Sequence, residues 1–388
     1  MKQRPSPWMT EELQLLADTS GRFFEREAVP NDARWRAQHV GDRDYWNKLG
    51  AAGLLCLSIP EEYGGGGGDF RHDAVFLHAQ MRAMVGGGSN NVHSAIVAHY
   101  ILGYGTEAQK RRWLPKMASG EMVAAIAMTE PGAGTDLQAL RTSARRDGDH
   151  YVINGSKTFI TNGWHADLVC VVARTGAEKG GKGLSIIVVE TKDQQGYRHG
   201  PLLDKIGQHS TDTCELFFDE MRVPCEQLLG AEEGKGFAQL MSQLPRERLI
   251  VATGGVATMQ RAVEETLAYV SQRKVFGETL MKMQNTRFKL AECQTHATIA
   301  QSFVDDCIVR ATKGELDLPT SAMAKWWVSE MVCKVIDECL QLFGGYGYMN
   351  EYPIARMYAD ARVGRIYGGS NEVMKELIAR SMEVQVLG

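Results

Sequence analysis

Three textures of hydrophobic and polar positions follow one another along the chain. Up to about residue 120 apolar residues recur at helical spacing, as in EELQLLADTSGRFFERE. TEAQKRRWLPKM opens with Thr106 and Gln109 in capping-box register, which predicts a helix start there. Between them, EEYGGGGGDF reads by composition as a flexible loop or lid. From about 122 to 225 the period becomes two. MVAAIAMTE, TSARRDGDHYVING, LVCVVART, LSIIVVE and CELFFDEMRVP are β-rich runs separated by Asp-Gly, Asn-Gly and Gly-Gly turns. No helix of useful length interleaves them, which argues against a doubly wound parallel sheet. The helical period then returns: Cys293, Ala297, Ala300, Val304, Cys307 and Ala311 form the apolar seam of a bundle helix. Further helices are expected around 319–343 and 371–385. The expectation is an α+β fold: a helical domain over residues 1–121, a β-domain over 122–230 and a helical bundle over 231–388.

Composition narrows the function. At 388 residues, with 44% apolar and 23% charged side chains, the chain suits two or three soluble domains. A net charge of -4 gives no basic surface for nucleic acid. No apolar run approaches the ~18 residues of a membrane span, and MKQRPSPWMTEEL has no secretory apolar core. A cytoplasmic protein without membrane insertion is expected. The eight cysteines are scattered, with no C-x-x-C and no histidine at ligand spacing, so they read as packed thiols and no metal is expected. No G-x-G-x-x-G, H-E-x-x-H, G-x-S-x-G or EF-hand pattern occurs. GAEKGGKG has P-loop spacing, but Gly183 stands where a metal-reaching Ser or Thr is required, and the stretch bridges two strands.

Three stretches carry positive signals. In AMTEPGAGTDL (127–137) a Pro-Gly-Ala-Gly turn exposes backbone N–H groups beside the hydroxyls of Thr129 and Thr135. Alone, it is more often a surface turn. In KTFITNGWHAD (157–167), period two sets Phe159 and Thr161 on one face, an aromatic ring beside a hydroxyl. Alone, it is an alternating strand. QLFGGYGYMNEYPIARMYADARVGRIYGGSNEVMKELIAR (341–380) places two Gly-Gly pairs among aromatics and arginines. Helix C-caps account for one pair but hardly both.

MTEPGAGTDL, FITNG, QRKVFG…Q, LFGGYGY and IYGGSNEVMKELIAR, in this order, closely resemble the acyl-CoA dehydrogenase family over nearly the whole chain. The resemblance implies an N-terminal helical domain, a central β-domain and a C-terminal four-helix bundle. It also implies FAD contacts from Met128, Thr129, Gly134 and Thr135, with Phe159 and Thr161 against the isoalloxazine. Arg273, Phe276, Gln284, Gln341 and Gly345 would reach the cofactor of a neighbouring subunit, and Ser370 and Glu372 its adenine side. An oligomer, commonly a homotetramer, and electron-transfer flavoprotein as acceptor are implied as well.

One residue departs from the pattern. Many members carry a glutamate base after the tyrosine of the last motif, where this chain has Gly368. The long-chain and isovaleryl branches are similar to this sequence in carrying the glutamate on a bundle helix, in an L-P-x-E-R-L pattern that Leu244–Leu249 matches. Glu247 is thereby the expected base. The backbone N–H of Gly368 remains a candidate donor to the thioester oxygen, and Thr135, Arg248 and Gly369 are candidate substrate contacts. Without the pattern, Glu247 would read as a solvated charge between two arginines. The physics asks for a carboxylate at the substrate α-carbon, its proton affinity raised by burial, and for fixed donors at the carbonyl. FLHAQMRAMVGGGSNNVHSAIVAHYILGYG (76–105) is expected to line the acyl pocket, with Gly86, Gly87, Gly88, Ser89 and Ala95 permitting a deep one. That favours a medium-to-long straight or methyl-branched acyl-CoA. A short branched substrate, an acyl-CoA oxidase and a non-catalytic nucleic-acid-binding relative are the alternatives.

Overall fold

The computed structural model describes residues 5–178 and 180–387. Helix α1 (Glu11–Phe23) begins where the Thr10 hydroxyl accepts the Leu13 N–H, with Glu11 and Glu12 favourably placed in its first turn. A π-helical turn at Phe24–Ala28 leads into α2 (Val29–Gln38). Helices α3 (Arg43–Ala51), α4 (Phe70–Ala83), α5 (Ala98–Tyr104) and α6 (Glu107–Ala118) complete the N-terminal helical domain. The capping box at Thr106 and Gln109 forms with both reciprocal bonds. Phe24, Trp35, Tyr45 and Trp46 make an aromatic core here, each side chain 2% exposed or less.

The glycine run is not a lid. The N–H groups of Gly64, Gly65, Gly66, Gly67 and Gly68 all donate back to carbonyls of residues 56–61, at 2.8–3.2 Å. A Cβ on Gly65 would stand 2.2 Å from the Ile59 carbonyl oxygen, so glycine is needed for close approach rather than for motion.

The middle of the chain forms one mixed seven-stranded sheet: β1 (Ala124–Ala127), β2 (Ser143–Asp147), β3 (His150–Thr161), β4 (Leu168–Arg174), β5 (Leu184–Glu190), β6 (Tyr197–His199) and β7 (Thr213–Pro224). β4 lies parallel to β1 and antiparallel to β5; β3 is antiparallel to β2 and β7. β4 and β5 are buried on both faces, hence their unbroken apolar runs. Asn154–Gly155, expected as a turn, is instead a bulge within β3. A second bulge between Lys157 and Ile160 breaks the expected alternation, with Phe159 at φ 59°. Phe159 and Thr161 therefore do not share a face through simple period two; the bulge re-aims the ring outward.

Helix α7 (Gly236–Gln272) opens the C-terminal bundle and runs through Pro245, whose missing N–H leaves the Met241 carbonyl without its helical donor. A short hairpin, β8 (Lys274–Val275) and β9 (Glu278–Thr279), leads to α8 (Gln284–Thr312). Then follow α9 (Leu318–Phe343), α10 (Pro353–Ala361) and α11 (Asn371–Leu387). Cys293, Ala297, Ala300, Val304 and Cys307 form the buried seam of α8, and Ala311 lies at its edge. The eight cysteines are free thiols, six of them buried. No described helix is long and apolar enough to cross a membrane.

Candidate active site

Glu247 does not face solvent. It lies two residues beyond Pro245 on α7, 6% exposed, and its Oε1 accepts the Tyr100 hydroxyl at 2.8 Å. Burial pushes the carboxyl above its ordinary value, against the lowering effects of the Tyr100 hydrogen bond and the neighbouring Arg248 charge. Of the two flanking arginines Arg248 is buried and Arg246 half-buried, and they behave differently. Arg246 donates to the Ala95 carbonyl at 2.9 Å and the Ser58 hydroxyl at 2.9 Å, pairs with Asp73, and lies over the Phe70 ring. Arg248 is 3% exposed, yet its Nε and Nη1 have no hydrogen-bond partner among the described residues. A buried guanidinium with free donors is costly unless something else accepts from them.

One turn along α7, Val251 faces the glycine pair of the last motif. A Cβ built on Gly368 would sit 3.6 Å from Val251 Cγ2. Val251 lies four residues after Glu247, so a side chain at 368 would approach the same face of α7 that bears Glu247. Gly368 and Gly369 have φ of 66° and 90°, conformations glycine adopts freely. The loop is pinned from below: Lys325 Nζ, fully buried, donates to the Gly369 carbonyl at 2.6 Å and to Asn371 Oδ1 at 2.9 Å. Burial, with Arg248 nearby, brings that amine down to about 8.

The cavity itself, about 180 Å³, runs between α4 and α7. Leu77, Met81 and Met84 form one wall, Ile250 and Gly254 the other, and Tyr367 stands beside Gly368. Gly86, Gly88 and Ser89 line it as expected. Gly87 and Ala95 do not: a Cβ on Gly87 would meet the Trp35 ring at 2.5 Å, and Ala95 lines a separate small void. Glu247 is not itself a lining residue but lies one turn before Ile250 and Val251, which are; a buried carboxylate of raised proton affinity so placed suits removal of a weakly acidic C–H proton.

Comparison with known proteins decides the family. Models of the acyl-CoA dehydrogenase N-terminal, middle and C-terminal domains match residues 10–121, 125–221 and 234–383. The chain belongs to the acyl-CoA dehydrogenase family. It is 45% identical to the mitochondrial long-chain specific acyl-CoA dehydrogenase of Mus musculus over 375 residues, covering 96% of this chain and 87% of that protein. It is 33% identical over 383 residues to the mitochondrial isovaleryl-CoA dehydrogenase of Pongo abelii, covering 96% and 89%. The crystal structure of an acyl-CoA dehydrogenase from Geobacillus kaustophilus superposes with a TM-score of 0.94 at 43% identity, covering 97% of this chain and all of that one.

Acyl-CoA dehydrogenases are FAD-dependent oxidoreductases, and the β-domain has a surface that fits such a flat, polar-edged ring system. The Phe159 ring is 68% exposed on its bulge, with Thr161 half-buried beyond it. The Met128–Thr135 turn lies alongside, joined where the Thr158 N–H donates to the Thr129 carbonyl at 2.9 Å. Gly134 has open space where a Cβ would be, and Thr135 is exposed. The remaining expected contacts lie elsewhere on this chain. Arg273, Gln341 and Gly345 share a cleft of about 590 Å³ on the bundle, Phe276 is 99% exposed at the β8–β9 tip, and Gln284 opens α8. Ser370 and Glu372 open α11, beside Gly369.

Four buried polar residues escaped the sequence reading. Lys157 Nζ donates to the Met128 carbonyl at 3.0 Å and pairs with Glu130 at 2.9 Å, fastening the turn to β3. Asn162 exchanges bonds of 3.0 Å with both the N–H and the carbonyl of Ser89, tying the β-domain to the cavity wall. Tyr100 and Lys325 are the others. A lysine within an apolar stretch, as in SAMAKWW, is the one signal that marks Lys325 in the sequence.

Proposed function

We propose that this protein is a dehydrogenase of medium-to-long-chain acyl-CoA thioesters, straight or methyl-branched, forming trans-2-enoyl-CoA, with Glu247 as the base. The observation that supports this reading is the buried carboxylate of Glu247 on α7, one turn before Val251, which lines the cavity and faces the bare position at Gly368. FAD, when bound, supplies the acceptor for the β-hydrogen. The chain does the rest. Glu247 takes the α-proton, its affinity for it raised by burial. The Gly368 N–H, in a loop held by Lys325, donates to the thioester oxygen. Arg248, being buried, directs its free donors to the thioester end of the substrate rather than to the adenosine end. Gly369 has its carbonyl occupied by Lys325 and offers its N–H.

Met128, Thr129, Gly134, Thr135, Phe159 and Thr161 would hold the flavin within one chain. Arg273, Phe276, Gln284, Gln341 and Gly345, gathered on the outer face of the bundle, would hold the cofactor of a second copy, with Ser370 and Glu372 on the adenine side. This arrangement requires an oligomer; a homotetramer is the assembly, and electron-transfer flavoprotein the acceptor, that we assign. Anaerobic flavin bleaching with straight-chain thioesters from butyryl- to stearoyl-CoA, and with isovaleryl-CoA, tests the substrate class; bleaching by isovaleryl-CoA alone would sink it. Peroxide formation in air matching substrate consumption would mark an oxidase instead.

The cavity wall yields a second test. A Cβ on Gly254 would lie 3.7 Å from Met81 and 3.8 Å from Leu77, so alanine just fits and a ring does not. Gly254→Phe is expected to abolish bleaching by the longest chains while sparing the shortest. Equal loss across the panel would place the acyl chain elsewhere.

A further inference from the structure

Glu247 reaches its place with help from another domain. Its helix belongs to the bundle, while the hydroxyl that meets it comes from α5 of the N-terminal helical domain. Tyr100 is fully buried in the hydrophobic cluster that also holds Cys170 and Leu240, its ring 6.3 Å from the Tyr104 ring. A phenol in such surroundings needs a partner for its hydrogen. The carboxylate of Glu247 is the acceptor at 2.8 Å. On the other side of the same turn, Arg246 is fixed to the Ala95 carbonyl three residues before α5 begins.

We propose that Tyr100 is the positioning residue of the relocated base: its hydroxyl holds the Glu247 carboxylate in the orientation that serves the substrate. This rests on the reading of Glu247 as the base. The physical reason follows from side-chain length. A glutamate on a helix has three rotatable bonds, and nothing on α7 itself fixes the carboxylate, because Arg248 spends no observed hydrogen bond on it. The phenol supplies one directional bond from a rigid ring with little freedom of its own. It also favours the charged carboxylate, partly offsetting the burial that raises its proton affinity.

The titratable and charged groups around the pair are Arg248 on α7, Cys170 on β4 and Tyr104 on α5. Lys325 on α9 stands beyond Arg248, and Asp73 and His99 lie on the Arg246 side. Only the tyrosine hydroxyl donates to Glu247 among the described residues. Removing it takes away the one bond to the carboxylate, so protonation becomes easier and the side chain turns more freely.

Tyr100→Phe in the FAD-loaded protein tests this, read as the rate of anaerobic flavin reduction across pH. The acid limb is expected to move to higher pH and the plateau to fall by about tenfold, the order of one lost hydrogen bond to a charged group. Absorbance of bound FAD and its stoichiometry should not change. The decisive control moves the base: in the Glu247→Gly, Gly368→Glu background, adding Tyr100→Phe should shift nothing, because the hydroxyl no longer meets a carboxylate. An equal loss in both backgrounds, or an unmoved acid limb in the first, overturns the proposal and leaves Tyr100 a packing residue. If Glu247→Gln itself reduces flavin at full rate, the reading of the base fails instead.

Discussion

Glu247→Gln should bind FAD normally and reduce it roughly 10²–10⁴-fold more slowly with a good acyl-CoA, the usual worth of a positioned base. The amide has the shape of the carboxylate, and its oxygen still accepts the Tyr100 hydroxyl, so the fold has no reason to change. What is lost is the ability to hold a proton. Stopped-flow bleaching at a near wild-type rate would remove Glu247 from the mechanism. The wild-type acid limb should lie above the ordinary carboxylate value of 4.5, because burial raises the group and activity needs it ionised. Activity therefore rises with pH through that limb. Exchange of positions, Glu247→Gly with Gly368→Glu, should recover part of the rate, since both positions address the same face of α7. Recovery is expected to be incomplete. Residue 368 has φ 66°, a left-handed conformation that costs a non-glycine residue about 1–2 kcal/mol.

The second large effect concerns Arg246. Its guanidinium is the counter-charge of buried Asp73 and is itself half-buried: burial holds the Asp73 carboxyl above its usual range and draws Arg246 below its own. Arg246→Met should cost about 3–5 kcal/mol, because it leaves a buried carboxylate with the Ser58 hydroxyl as its remaining side-chain donor among the described residues. The loss should appear as a lowered thermal midpoint of the holoprotein. Replacing the partner as well, Arg246→Met with Asp73→Leu, should regain much of it, since the expense lies in the orphaned charge rather than in the absence of a pair. A single variant as stable as wild type would mean that water reaches Asp73. Arg246 also anchors the turn bearing Glu247, so flavin reduction should slow even where the variant stays folded.

The periodic signals were the legible ones. Helical and strand periods depend on which face of a local element is buried, and that is written in neighbouring residues. The seam of α8 and the buried runs of β4 and β5 appear in the structure accordingly. Glycines misled where their reason was non-local. Gly64–Gly68 look like a flexible run, but their N–H groups are bonded and Gly65 presses on the Ile59 carbonyl. Asn154–Gly155 has the composition of a turn, but Gly155 lies within β3, where a Cβ would meet Thr142 at 2.5 Å. Phe159 sits on a bulge that no alternation of residues announces.

The candidate site divides in the same way. By itself the sequence determined the helix that bears Glu247, the turn at 128–135, the glycine pair at 368–369 and the family likeness that joins them, because each is a short run with its own chemistry. Only the tertiary structure decided that Glu247 is buried, that its carboxylate meets Tyr100 from 147 residues away, and that Gly368 faces the next turn of α7. It alone revealed that Lys157 and Lys325 are spent inside the protein, holding the carbonyls of Met128 and Gly369. A charge between two arginines is solvated or catalytic according to what covers it. Here Tyr100 of α5 meets it, and contacts between helices so distant in the chain leave no local pattern to read.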